Sequence, residues 1–356
     1  MQILPFGLIS ALFGFIYVLI EKGILGNSPT YPSTGNPYNS NLILSVGVSF
    51  ILGSIIGFIE ILYINKWFQN SSFLKKIVYK TATYMLLMVL FTLLISSIGH
   101  AVEFGLSLLN EKVLNYVFNF MTNFAFWSIV SYISLGIGIC LFYTEVSDHI
   151  GQGVLMNFFT GKYHQPMEEE RIFMFLDMKS STTIAEQLGH VSYFKMLKEY
   201  YADLSDPVIQ YGGQIYQYVG DEIIVSWKHK KGVLSNNCLY CFYAMKEALH
   251  AQEEKYQSIF GVMPTFKAGI HVGTVTSGEI GVIKREITYS GDVLNTTARI
   301  QGLCNHYKVD LLVSENLIST LNLSGELEKK SLGEVELRGR NEKIQISTIQ
   351  KTKQHE

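Results

Sequence analysis

The chain has 356 residues and a formal net charge of −2, from 28 Lys and Arg against 30 Asp and Glu. That length accommodates two domains, and so even a balance leaves no electrostatic footprint for a nucleic-acid partner. The charge is unevenly placed: ten Asp, Glu, Lys or Arg lie in residues 1–143 and the other 48 follow, which excludes one uniform soluble globule.

Four apolar stretches fill the first part, at about 3–20, 41–64, 81–99 and 117–143. Each is long enough to cross the hydrocarbon core of a lipid bilayer as a helix. The first lacks a basic leader and a small-x-small cleavage site, so it reads as a span and not as a signal peptide. Residues 1–143 are therefore expected to form a four-helix transmembrane domain. Lys66, Lys75, Lys76 and Lys80 between spans two and three place that loop in the cytosol, together with both termini. The uncharged loop 23–40, with Pro29, Pro32 and Pro37, then faces outward. Gly53 and Gly57 form a small-xxx-small pair, which marks either close helix contact or the ordinary frequency of glycine in membrane helices. Glu60 is expected to snorkel toward Lys66, and His100 with Glu103 to form a wet interfacial pair.

Residues 144–170 read as a helical connector. Val146, Ile150, Val154 and Phe158 recur at helical spacing, Pro166 stops the helix, and Glu168 to Glu170 form a solvated run. Such a helix, lying between two domains, is expected to pair with its copy in a dimer. Cys140, Cys238, Cys241 and Cys304 include none in an expected external loop, which argues against a disulfide framework.

Residues 171–351 alternate strand and helix patterns, and 352–356 form a polar tail. The expected elements are a buried strand at 172–176, a helix over 182–210 and a hairpin over 214–227 turning at Gly220–Asp221. A helix at about 233–254, strands near 265–275 and 286–290, a helix opened by Gly291–Asp292 and a last strand at 343–350 follow. Cys238 and Cys241 fall inside an apolar helical pattern and are assigned to the core; His271 in its strand is structural. Glu222 is expected to face solvent or orient the turn.

Asp177 ends the strand IFMFLD and Asp221 sits at the hairpin tip of QYVGDE. Two such carboxylates can hold two magnesium ions between them. Lys179, Ser180, Ser181 and Thr182 open a helix, whose N-terminal amides suit phosphate oxygens. Asn295 and Arg299 are four apart, hence on one helix face, where an amide and a guanidinium suit a phosphorus centre gaining charge. Arg338 and Arg340 flank a glycine at a strand end, where they can grip terminal phosphates. The chain has five arginines, and all five lie after residue 170: Arg171, Arg285, Arg299, Arg338 and Arg340. Arg285 is assigned to the surface.

In order and spacing, FLDMKSST, QYVGDE, ITYSGDVLNTTAR and GEVELRGR resemble the class III nucleotidyl cyclase catalytic domain, over about residues 170–350. The resemblance implies a ferredoxin-like α+β fold working as a head-to-tail homodimer. It makes Asp177 and Asp221 ligands of two Mg²⁺ or Mn²⁺ ions, assisted by the backbone carbonyl of Met178. It makes Asn295 and Arg299 of the other subunit a transition-state pair, and Arg338 the phosphate-binding cation with Arg340 close by. The reaction implied is attack of the ribose 3′-oxygen on the α-phosphate, with pyrophosphate leaving. The family reads the base from two positions, here Gln217 and Thr288. Many adenylate cyclases place Lys at the first, and guanylate cyclases usually place Glu there. An amide and a hydroxyl each present donor or acceptor, so neither decides; the absence of Glu and the threonine of many bacterial adenylate cyclases favour ATP over GTP. Guanylate cyclase and a non-catalytic nucleotide-binding receptor are the alternatives. A diguanylate cyclase is disfavoured, because Val219 precedes Gly220 and Ile223 stands where that family has Phe.

Overall fold

The structure is a computed structural model that describes residues 3–26, 28, 30, 41–64, 67–68, 71–151, 154–323, 325–336 and 343–352. Two compact units emerge, Met1–Gly151 and Gln152–Glu356.

The first unit contains four helices long and apolar enough to cross a membrane. They are α1 (Ile3–Leu25), α2 (Leu42–Ile59, continued by a π-helical turn at Glu60–Ile64), α3 (Phe73–Phe104) and α5 (Phe124–Ile150). The fourth stretch differs from its expected bounds. A separate amphipathic helix, α4 (Glu111–Thr122), buries Val113 and Val117 and stops at Asn123. The Asn123 side chain accepts a hydrogen bond from the Ala125 amide at 2.9 Å and so opens a new helix. The expected connector also changes. Residues 144–150 complete α5, Gly151 ends it at φ 107°, and a short α6 (Val154–Thr160) follows, so the apolar stripe does not form one helix. Pro29, Pro32, Pro37 and Lys66 lie outside the described residues.

Gly57 lets α1 approach closely: a Cβ there would lie 2.8 Å from the Phe6 ring. Close contact is thus the role of the glycine pair. The expectation for Glu60 is overturned. Glu60 is 1 % exposed, 2.7 Å from Lys80 Nζ, and accepts from the Tyr84 hydroxyl at 2.9 Å. Lys80 also lies 3.0 Å from Glu145, which Lys76 approaches at 3.5 Å. Lys80 therefore joins α2, α3 and α5, and Glu60 finds its cation inside the bundle rather than at the interface. Buried charges persist only when paired in this way. His100 and Glu103 form a 3.2 Å pair at the surface, as expected.

The second unit is an α+β domain. Its elements begin with β1 (Met167–Met178), α7 (Ser181–Gln210), β2 (Gln214–Val219), β3 (Glu222–Lys228), α8 (His229–Val233), α9 (Asn237–His250), α10 (Glu253–Phe260) and β4 (Phe266–Ile280). They continue with β5 (Glu286–Ser290), α11 (Asp292–Gly302), α12 (Cys304–Tyr307), β6 (Leu311–Ser314), α13 (Glu315–Ile318), β7 (Leu327–Glu336) and β8 (Lys343–Lys351). The sheet order is β2-β3-β1-β4-β6-β8-β7, with β5 paired to β4. The succession β1–α7–β2–β3–α9–β4 with β1 and β3 central is the ferredoxin-like arrangement.

The pleat of β1 divides the domain. Ile172, Met174, Leu176 and Met178 enter the main core with Tyr200, Trp227 and Phe242. Phe173 and Phe175 point to the opposite face, against Val293 of α11. β1 is longer than expected because Glu168 to Glu170 pair with Thr274 to Thr276 of β4; the acidic run is strand, with Glu168 and Glu170 exposed as expected. The helix expected at 233–254 is broken: Ser235 and Asn236 have positive φ, and the Asn236 amide donates to the Asn322 carbonyl at 2.7 Å. α7 is interrupted at Gly189. Cys238 and Cys241 are fully buried in the core, where burial pushes the Cys238 thiol up to about 12. His271 Nδ1 lies 2.7 Å from Ser314 Oγ and joins β4 to β6.

Replacing Lys80 by Met leaves buried Glu60 without its cation and Glu145 with Lys76 alone, and is expected to cost about 3–5 kcal/mol. Lys76→Met, at the partly exposed end of the network, is expected to cost about 1 kcal/mol or less. Unfolding of both full-length variants in mild detergent checks the contrast.

Candidate active site

One row of alternate β1 residues runs Arg171, Phe173, Phe175, Asp177 on the face that carries α11. Asp177 closes this row. Its Oδ2 accepts from Gln301 Nε2 of α11 at 3.1 Å and lies 3.3 Å from Lys267 Nζ of β4. Asp221 reaches the same place from the β2–β3 hairpin. The turn needs Gly220 at φ 64°, a left-handed conformation that glycine adopts without strain. Tyr201 fastens the turn from α7: its hydroxyl donates to the Gly220 carbonyl, and its ring lies 4.4 Å from that of Tyr218.

The Asp221 carboxyl is pushed up by burial, with the Asp177 charge adding to the rise, while a hydrogen bond from Ser181 opposes it. Asp221 Oδ2 is buried and has no hydrogen-bond partner among the described residues. Two facing carboxylates, one with an unsatisfied buried oxygen, fit a divalent cation between them. Among the described residues no group of three or more His, Cys, Asp or Glu forms a metal cluster. The donor set is therefore poor in protein ligands and open to phosphate oxygens, the usual manner of binding Mg²⁺.

Of its two expected roles, Glu222 does not take the solvent-facing one. It is half-buried, and its carboxyl is pushed up to about 7 by burial first, then by the charges of Asp177 and Asp221. Met178 buries its side chain in the core at 2 % exposure, so only its backbone is available to the site. Ser180 caps α7 in the left-handed region, φ 55°, and is exposed together with Thr182. Ser181 is half-buried, and its hydroxyl is engaged by Asp221. Lys179 is held by Asp310, which Lys246 also approaches at 2.6 Å.

A second group assembles elsewhere on the same face. Asn295 is exposed and Arg299 half-buried on α11, and neither side chain has a hydrogen-bond or ion-pair partner among the described residues. Gln217 is exposed on β2 and Thr288 half-buried on β5. Each of these four adjoins, in the chain, a member of one apolar cluster: Tyr216, Tyr289, Leu294 and Ala298. Asp177 pairs with Lys267 at one end of β4, whereas Thr288 pairs with Gly278 near the other. Along α11, Gln301 touches Asp177, but Asn295 lies six positions earlier, roughly 9 Å along the axis and on another side of the helix. The chain thus builds an acidic half-site and an amide–guanidinium half-site without joining them. Arg338 and Arg340 lie outside the described residues.

Sequence reasoning missed Lys267 and Gln301. Helical spacing from Arg299 could point to Gln301; Lys267 is placed only by the register of β1 on β4.

The sequence profile described as the adenylate and guanylate cyclase catalytic domain matches residues 163–350. Adenylate cyclase 2 of Rhizobium meliloti is 35 % identical over 212 residues, covering 60 % of this chain and 58 % of that protein. The adenylate cyclase of Anabaena cylindrica is 26 % identical over 182 residues, 49 % of this chain and 36 % of that protein. The chain thus spans less than two thirds of the length of either relative. A bacterial light-regulated adenylyl cyclase structure is similar in fold, with a TM-score of 0.53 at 17 % identity over 64 % of this chain and 66 % of that one.

A carboxyl whose value is raised on folding contributes stability below its ordinary value and loses it as pH rises through the folded value. With metal chelated, the thermal midpoint of the parent is therefore expected to fall relative to Glu222→Gln as pH rises through about 7. Added Mg²⁺ is expected to narrow that difference. Midpoints measured across pH with and without chelator check both.

Proposed function

Because this chain belongs to the class III nucleotidyl cyclase family, whose members generally depend on divalent metal, we propose that it is a membrane-anchored adenylate cyclase. It converts ATP to 3′,5′-cyclic AMP and pyrophosphate. The observation that carries the reading is the separation of two complementary half-sites on one chain. Asn295 lies on another side of α11 from the Gln301 that meets Asp177, and in this reading a second copy, related head to tail, supplies Asn295 and Arg299 to the acid pair. Surface suited to such a homodimer is present: Tyr218, Val219, Ile280, Val282 and Ile283 are 45–102 % exposed, an apolar set beside the half-sites.

Asp177, Asp221 and the Met178 carbonyl would hold two Mg²⁺ or Mn²⁺ ions. When bound, the ions neutralise the triphosphate and favour the ionised form of the attacking ribose oxygen. The backbone at Ser180, Ser181 and Thr182 offers the amides of a helix start to phosphate oxygens. Asn295 and Arg299 of the partner copy direct an amide and a fixed positive charge at the α-phosphate, where charge grows as the 3′-oxygen bonds to phosphorus and pyrophosphate departs. Arg338 and Arg340 grip the leaving phosphates. Gln217 and Thr288 hold the base. ATP is favoured because Gln217 is not the glutamate usual in guanylate cyclases, and because Rhizobium and Anabaena proteins named adenylate cyclases are similar to this chain. Lys75 and Lys76, in the first turn of α3, favour a cytosolic face for the catalytic unit in the cell membrane, whereas Lys80 is paired inside the bundle.

The full-length chain in lipid nanodiscs, given ATP or GTP with Mg²⁺ or Mn²⁺, is expected to release cyclic AMP. Asp221→Ala and Asn295→Ala are each expected to lower kcat by roughly a hundred-fold or more. Cyclic GMP instead would keep the mechanism and reverse the base assignment. No product from either nucleotide would leave a nucleotide-binding receptor as the account.

A further inference from the structure

Gln217 and Thr288 lie on strands that share no ladder: β2 pairs with β3, and β5 pairs with β4. The sheet links them through β3, β1 and β4, and among the described residues no main-chain hydrogen bonds join β2 to β5 directly. Side chains beneath them do. Tyr216 is the extra residue of a bulge between Ile215 and Gln217, and a bulge re-aims the side chains beside it. Its ring lies 4.9 Å from that of Tyr289, the neighbour of Thr288, at an interplanar angle of 58°. The Tyr289 amide donates to the Tyr216 hydroxyl at 3.4 Å. Phe173 meets both rings edge-on, at 6.5 and 5.5 Å.

Arg171 lies under this pair. It is 0 % exposed, an expensive place for a guanidinium, and its two terminal nitrogens are paired while its Nε has no hydrogen-bond partner among the described residues. Its plane sits 4.5 Å over the Tyr289 ring. One terminal nitrogen donates to Gln214 Oε1 and to Ser226 Oγ, both at 2.9 Å, and the other to Glu169 Oε1 at 3.1 Å. Arg171 thereby joins β1, β2, β3 and β5 through one planar fork, a geometry that lysine cannot reproduce.

We infer that Arg171, Tyr216 and Tyr289 are positioning residues that set the spacing between Gln217 and Thr288, and so determine how tightly and how selectively the purine base is held. The inference rests on the cyclase reading above. None of the three touches the nucleotide in this account; each acts through its neighbour. Loosening the stack widens the base slot without disturbing the acid pair at the other end of β4.

The test is steady-state kinetics of the full-length chain in nanodiscs with ATP and with GTP, alongside thermal midpoints. Tyr289→Leu, Tyr216→Leu and Arg171→Met are expected to raise KM for ATP roughly ten-fold, with less effect on kcat, and to narrow the ATP-to-GTP preference. Arg171→Lys is expected to follow Arg171→Met, and Tyr289→Phe, which keeps the ring, to stay within about two-fold of the parent. Should Arg171→Met fail to fold, the Leu and Phe variants of Tyr289 carry the comparison alone. An active parent whose variants keep KM and nucleotide preference, or lose kcat equally for both nucleotides, would overturn this inference and leave the cyclase reading intact. A parent that forms no product would overturn both.

Discussion

The alternation of one strand organises the catalytic unit. Successive side chains of β1 must point to opposite faces. Ile172, Met174 and Leu176 commit one face to the core, so Arg171, Phe173, Phe175 and Asp177 share the other. That row places an acid at one end and a buried cation at the other, with two phenylalanines between. The hairpin, α11 and β5 dock along it. Asp221 and Gln301 meet Asp177, while Tyr289 covers Arg171. The separation of the two half-sites follows from strand length and pleat, and a dimer is the simplest way to close it.

The first unit, whose four helices are long and apolar enough to cross a membrane, obeys a different constraint. Its helices expose apolar surface nearly all round, as a bilayer requires, so contacts among them rest on close approach and on few polar groups. Glycine facing Phe6 supplies the first, and the Glu60–Lys80–Glu145 network supplies the second. Glu60 opens the π-helical turn that ends the second apolar helix. The buried charge thus coincides with the one departure from regular winding in that helix.

Much of this was legible in the sequence for physical reasons. Apolar runs of bilayer length, the hairpin at Gly220–Asp221 and the helix after Gly291 each rest on local rules that tertiary packing had no cause to override. The strand 286–290 matches its expected bounds. Other features depended on partners distant in sequence. Glu168 to Glu170 look solvated alone and become strand because β4 extends to meet them. Glu60 has Lys66 near it in sequence but Lys80 near it in space. Glu222 is expected to face solvent or orient the turn; burial of the hairpin base instead brings it into one field with Asp221 and Asp177. Arg171 was conspicuous only as a retained arginine, and its role needed the stacking of Tyr289 to become visible.

The account stands or falls on active sites shared between two copies. Full-length Asp221→Ala and Asn295→Ala chains, each silent alone, can be co-expressed and assayed for cyclic AMP in membranes. Random pairing should give half mixed dimers, each with one intact site of two, and hence about one quarter of parental activity. Activity at that level would place the acids and the Asn295–Arg299 pair on different chains of one site. Continued silence, with mixed dimers demonstrated by differential tags, would contradict the shared site and require each chain to complete its own.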